Sequence, residues 1–73
     1  MRIRYDPQAD ALYIRLDESA ITESSEVSPG VVLDFDAKDR VVGIELLDVR
    51  QRCPGADLRR IEFEVDETAE AAG

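Results

Sequence analysis

Apolar and polar residues alternate through most of this chain in runs of five or six, and turn-forming residues punctuate the runs. Ile3 and Tyr5 alternate with Arg2, Arg4 and Asp6, and Leu12, Ile14 and Leu16 with Ala11, Tyr13 and Arg15. Further on, Val31, Leu33 and Phe35 alternate with Val32, Asp34 and Asp36, and Val42, Ile44 and Leu46 with Val41, Gly43, Glu45 and Leu47. A period of two sends successive side chains to opposite faces of a strand, so each run specifies a strand with one face toward a core. The fold class that follows is α+β: an antiparallel β-meander of four to five strands, a short helical segment, and a last strand. The expected core is Ile3, Tyr5, Leu12, Ile14, Leu16, Val31, Leu33, Phe35, Val42, Ile44 and Leu46.

The punctuation between the runs has its own chemistry. In Asp6-Pro7-Gln8-Ala9-Asp10 the proline pre-sets φ for a turn, and the Asp6 carboxylate is placed to accept backbone N–H bonds. Ala20 to Val27 reads as a weaker third strand. Its polar stretch Thr22-Glu23-Ser24-Ser25-Glu26 suits a sheet edge, where charge discourages pairing with strangers. Ser28-Pro29-Gly30 reads as a type II turn, and Ala37-Lys38-Asp39-Arg40 closes a hairpin. Gly43 in mid-strand marks a bulge or a close approach. Beyond Leu47, Asp48 to Cys53 suits a helical turn stopped by Pro54-Gly55, and Asp57 to Ile61 a second one. Ile61-Glu62-Phe63-Glu64-Val65 returns to alternation and reads as the final strand. Residues 1–66 form one small domain, and residues 67–73 are expected to be a disordered tail.

At 73 residues the chain has room for a single core, which hides only about 60% of the unfolded surface. Domains this small commonly need a disulfide, a metal or a partner. One cysteine and no histidine supply neither of the first two, so a homodimer is expected. Tyr13, Val32, Val41 and Leu47 are apolar residues on the face opposite the expected core, and they are the candidate interface. A net charge of −8 argues against nucleic acid, whose phosphates need a surplus of lysine and arginine, and is compatible with a basic protein partner. No apolar run approaches the ~20 residues of a membrane span, and Met1 leads directly into a charged strand without a leader pattern. With one unpaired thiol, these features place the expected location in the cytoplasm.

Few residues invite chemistry. Asp34, Asp36 and Asp39 bracket a hairpin, but the spacing of a calcium-binding loop is interrupted by the strand Val41 to Ile44, so solvated carboxylates are the better reading. Asp6 and Asp10 have no nucleophile beside them and are better explained as turn caps. The serines lack a histidine partner, Cys53 reads as a passive, partly buried thiol, and no phosphate-cradling glycine loop is present. Arg50, Arg52, Arg59 and Arg60 form the one positive cluster and are the candidate anion-binding residues, with ion pairing as the competing use. No catalytic residue, metal ligand or cofactor is assigned.

Three stretches together resemble a known family. They are Tyr5-Asp6-Pro7-x-Ala9-Asp10-Ala11-Leu12-Tyr13-Ile14, Pro29-Gly30-Val31-Val32-Leu33-Asp34-x-Asp36, and Val42-Gly43-Ile44-Glu45-x-Leu47. They resemble the small prokaryotic proteins grouped as domain of unknown function 2283, over Met1 to about Arg52. Asp39 stands where that family commonly has glycine before the arginine of the second hairpin, and aspartate tolerates the left-handed backbone better than most residues. The resemblance implies a stand-alone small domain with no established activity. Some relatives stand beside toxin-like partners, which implies an antitoxin-like role by analogy. The expected function is a non-catalytic, self-associating interaction module. The alternative is a small metal- or anion-binding protein or enzyme using the acidic hairpin or the arginine cluster.

Overall fold

A computed structural model describes residues 1–67 of the chain. Five strands, β1 (Arg2–Asp6), β2 (Ala11–Arg15), β3 (Glu23–Ser28), β4 (Val31–Phe35) and β5 (Val41–Leu46), are followed by one helical turn, α1 (Val49–Arg52). All pairings are antiparallel, in the spatial order β1-β2-β5-β4-β3. Two hairpin units, β1-β2 and β3-β4-β5, are thus joined through β2 and β5. The link from Leu16 to Thr22 carries the chain past the ends of β5 and β4 to the far edge. It is tied there by Leu16 N donating to Val42 O (2.8 Å) and Thr22 N to Phe35 O (2.9 Å). The acidic β3 lies at an edge, as its polar composition predicts.

Register aligns the apolar residues in rows. One row runs Ile3, Ile14, Ile44, Leu33, Ser25, and another Tyr5, Leu12, Leu46, Val31, Ser28. Every second row carries the polar set, such as Arg4, Tyr13, Glu45, Val32, Glu26. Bulges interrupt β3 between Glu26 and Ser28, and the β4-β5 ladder after Asp34. The turns use left-handed backbone at Gly30 (φ 75°) and at three aspartates, Asp10, Asp39 and Asp48. Asp39 (φ 60°) adopts the conformation that glycine would otherwise supply, at the small cost aspartate incurs there.

The expected core is a face and not an interior. Val42 (2% exposed), Val49 (4%) and Ala11 (9%) are the buried apolar residues, whereas Ile3 and Leu16 are each 39% exposed and the rest of the expected set is half-buried. Three further expectations differ. Strand three begins at Glu23, because the residues before it serve the crossing link. Asp57 to Arg60 forms a turn, closed by Arg60 N donating to Asp57 O (3.1 Å) and Arg59 N to the Asp57 carboxylate (3.0 Å). Ile61 to Val65 forms no strand: it has the alternation but does not pair with the free edge of β1. The expected tail lies, from residue 68 on, outside the described residues.

Candidate functional site

Of the acidic residues that the sequence brings forward, Asp6, Asp10, Asp34 and Asp36 hold a turn or a strand pair with their carboxylates, whereas Asp39 is exposed and serves its turn through its left-handed backbone. Asp6 accepts the backbone N–H groups of Gln8 (3.0 Å) and Ala9 (3.3 Å), as its position before Pro7 predicts. Asp10 accepts the Tyr5 hydroxyl (2.6 Å) and both the backbone N–H and the Nε of Arg50 (3.2 Å each). It therefore joins the first hairpin turn to α1. The Tyr5 hydroxyl is the main cause that holds the Asp10 carboxyl below its ordinary range, with Arg50 adding to it, and the same bond raises Tyr5. Asp36, 4% exposed, accepts the N–H groups of Arg40 and Lys38 (2.9 Å each) and the Arg40 guanidinium (2.8 Å). Those bonds, the Arg40 N–H foremost, hold its carboxyl low. Asp17, held low by the Ser19 hydroxyl, closes a third local turn.

Asp34 has a different task. It lies on the polar face, 8% exposed, and accepts the hydroxyls of Ser24 (2.6 Å) and Tyr13 (2.9 Å). The Tyr13 hydroxyl in turn accepts Nη1 of Arg15 (3.3 Å), whose remaining donors go to the carbonyls of Asp17 and Ser19. This chain of bonds crosses β3, β4, β5 and β2 directly above Gly43. A methyl group on Gly43 would meet the Tyr13 hydroxyl at 2.6 Å and the Asp34 Oδ2 at 2.7 Å. Glycine stands in mid-strand because the network fills the space a side chain would take. Among the described residues no buried side-chain polar atom lacks a partner. Among them, too, no three metal-ligating residues are grouped to hold an ion.

The candidate anion-binding arginines do not converge. Arg50 is engaged with Asp10 and the Pro7 carbonyl, and Arg52 with the carbonyls of Leu47 (2.7 Å) and Pro29, stapling the β3-β4 turn to the end of β5. Arg60 pairs with Glu62 (2.6 Å), and Arg59 is exposed. A basic set that the sequence reading missed lies on the polar face of the first hairpin. Arg2, Arg4 and Arg15 flank Tyr13 around a shallow depression of about 490 Å³. The signal was available, since alternation puts Arg2 and Arg4 on one face and hairpin pairing brings Arg15 beside Arg2. Arg2 is paired with Glu18 (3.2 Å), and Arg15 is engaged with the carbonyls of Asp17 and Ser19 in its own loop. Cys53, expected to be partly buried, is exposed because α1 ends before it and nothing packs on it.

Of the candidate interface residues, Tyr13 and Val32 sit on the polar face, whereas the bulge after Asp34 pairs Val41 with Phe35 of the apolar row. Tyr13 and Val32 are separated in their row by Glu45, and Tyr13 is committed to the network. Val41 is 38% exposed, and Leu47 is half-buried with its N–H bonded to Gly30 O (2.8 Å). The larger uncovered apolar surface is on the opposite face, where Ile3, Leu12, Ile14, Leu33, Ile44 and Leu46 form a charge-free field. Residues 56–61 flank it on the β1-β2 side. Between them and Ile3, Tyr5, Pro7, Leu12 and Ile14 a groove of about 690 Å³ stays open. Among the described residues there is one sheet and one helical turn, and Leu33, Ile44 and Leu46 on the β5-β4 half are half-buried.

Among the described residues no helix is long and apolar enough to cross a membrane. Neither a curated protein nor a solved structure matches the chain. A family model described as "Protein of unknown function (DUF2283)" matches residues 2–50, the whole of the sheet and the first residues of α1. Its span contains the Asp6, Asp10, Asp17 and Asp36 turn carboxylates and the Gly43 network, and with more than half of the chain matched the chain belongs to the DUF2283 family.

Proposed function

We propose that this chain is a non-catalytic, self-associating interaction module whose working surface is the apolar face of its sheet. The observation that carries the reading is the division of labour between the two faces. The polar face is closed by the Ser24–Asp34–Tyr13–Arg15 network, and the Asp6, Asp10 and Asp36 carboxylates hold turns. Among the described residues no second sheet covers the apolar face, although stable domains bury such a face against another element.

This reading uses the Ile14–Leu33–Ile44 row of the sheet rather than Tyr13, Val32, Val41 and Leu47. A net charge of −8 also speeds encounter with a basic partner, which is the antitoxin-like form of this reading.

Thermal melts of the purified chain with Mg²⁺, Ca²⁺, phosphate and nucleotides test it, because a ligand bound to the folded state alone raises the melting temperature. No shift is expected. A rise of several degrees with any of these would overturn the reading in favour of a binding protein or enzyme.

A further inference from the structure

Of the two free edges of the sheet, β1 is the less guarded. β3 carries Glu23 and Glu26 and is interrupted by a bulge, whereas β1 pairs with β2 in unbroken register. Along β1 the side chains sort by face, Ile3 and Tyr5 into the apolar rows and Arg2 and Arg4 into the polar ones. A strand laid on this edge therefore needs acidic residues on one face and apolar residues on the other. Ile61-Glu62-Phe63-Glu64-Val65 has that alternation, and its Ile61 (62% exposed), Phe63 (69%) and Val65 (72%) are left in water.

The arm also runs in the right place and direction. The chain ahead of it is fixed at the turn end of β1, where Arg50 bonds Asp10 and the Pro7 carbonyl. Residues 56–61 then flank the groove lined by Pro7, Tyr5 and Ile3. Phe63 lies with Met1 and Ile3 at the other end of the strand. The segment thus follows the β1 margin in the sense opposite to β1.

We propose that Ile61–Val65 docks on the free edge of β1 in its own chain as a sixth, antiparallel strand, with Phe63 opposite Ile3 and Glu62 opposite Arg4. This register continues the rows of the sheet. Phe63 extends the row Ile3, Ile14, Ile44, Leu33, and Ile61 the row Tyr5, Leu12, Leu46. Glu62 and Glu64 come beside Arg4 and Arg2 on the polar face. A slip of one residue would set the glutamates among the apolar rows and Phe63 among the arginines, so both faces select the same register. Among the described residues Arg4 makes no ion pair, and Arg2 stands directly across from Arg15, like charge against like. The same arginines that repel a second β1 edge therefore attract a strand that carries glutamates. Ordering five residues costs backbone entropy, so this strand is the first to open, and the structure holds it undocked. Docked, it is a strap that closes the edge to strands of other chains. The inference goes beyond the interaction-module reading and does not depend on it.

Hydrogen exchange of the full chain, read over residues 61–65, tests the proposal. The alternate amides that face β1 should exchange at least about tenfold more slowly than in an unfolded peptide, and equally so at about 5 and about 100 μM chain. Arg4→Glu and Glu62→Arg change exposed side chains, so the five-stranded sheet still folds. Each should cut the protection about threefold, the effect of turning one cross-strand attraction into a repulsion, and the two together should restore it. Exchange at the unfolded rate in the wild type would overturn the docking. Protection that rises with concentration would overturn its placement in the same chain and give the edge to a second copy. A double variant no better protected than the singles would overturn the register. The ligand melts above judge the interaction-module reading separately.

Discussion

Replacing Gly43 with alanine separates two accounts of a mid-strand glycine by the sign of the effect. At an ordinary strand position glycine costs roughly 0.5–1 kcal/mol relative to alanine, so the substitution would stabilise the protein. Here the added methyl would lie 2.6 Å from the Tyr13 hydroxyl and 2.7 Å from Asp34 Oδ2. Ordinary contacts begin about 3.5 Å apart, so the two oxygens must retreat by nearly an ångström. Retreat pulls apart the 2.9 Å bond between them, and overpacking of this kind costs about 1–3 kcal/mol. Adding the strained hydrogen bond and subtracting the glycine term leaves a net loss of about 2 kcal/mol. For a domain of this size that lowers the melting temperature by about 10 °C.

Urea unfolding followed by circular dichroism measures the loss, and a double-mutant cycle identifies its source. In a Tyr13→Phe background the nearest oxygen is gone, so Gly43→Ala should cost at least ~1 kcal/mol less than in the wild type. A neutral or stabilising Gly43→Ala, or one equally costly without the tyrosine hydroxyl, would refute the account of a network crossing above this glycine.

Two further outcomes follow from burial and titration. Val42→Ala removes two methyl-sized groups from the most buried side chain, and about 2 kcal/mol of stability should go with them in the same urea assay. A loss below ~0.5 kcal/mol would mean that this end of the sheet is not packed. Asp10, Asp17 and Asp36 are held below the ordinary aspartate value, so their contribution is complete above about pH 4 and is lost as pH falls through their depressed values. Melting temperature should therefore decline from about pH 4 downward. Asp36→Asn should be less stable at pH 7 and should have a flatter acid limb. Acidification also relieves the repulsion of a net charge of −8, but nearly equally in both proteins, so the difference between them is the test. Parallel acid limbs would show that Asp36 is not clamped by Arg40.

Much of the sheet was legible because its information is local. Each run of alternation, bounded by Asp6-Pro7, Pro29-Gly30 or Ala37-Lys38-Asp39, fixes a strand and its two faces without reference to anything distant. The Asp6 turn cap and the left-handed Asp39 were legible for the same reason. The strand order was not. Nothing in the residues from Leu16 to Thr22 states that the link crosses to the far edge, because the crossing is held by backbone bonds to Val42 and Phe35 that any sequence can make. The Asp34–Tyr13 bond was equally out of reach, since it joins residues 21 apart through a register that only the assembled sheet defines. Gly43 was its one trace.

The strand expected at Ile61 to Val65 and the half-open apolar face of the sheet have a common physical cause. Alternation states that one side of a segment will leave water, and the free energy of doing so, about 25 cal/mol per Å², is the same whether the covering atoms belong to the same chain or another. A pattern can therefore call for a strand that lies unpaired, as at Phe63, and a core that its own chain does not close, as at Ile14 and Leu33. Tyr13 and Val32 are surplus apolar residues on the polar side only if the other side is closed. The network gives Tyr13 a structural task there, and a groove beside Leu12 and Ile14 stays open on the other side. The family's matched span ends at the start of α1, before the arm begins. The matched span thus takes in every strand of the sheet and its Gly43 network, and the arm after Arg60 lies outside it.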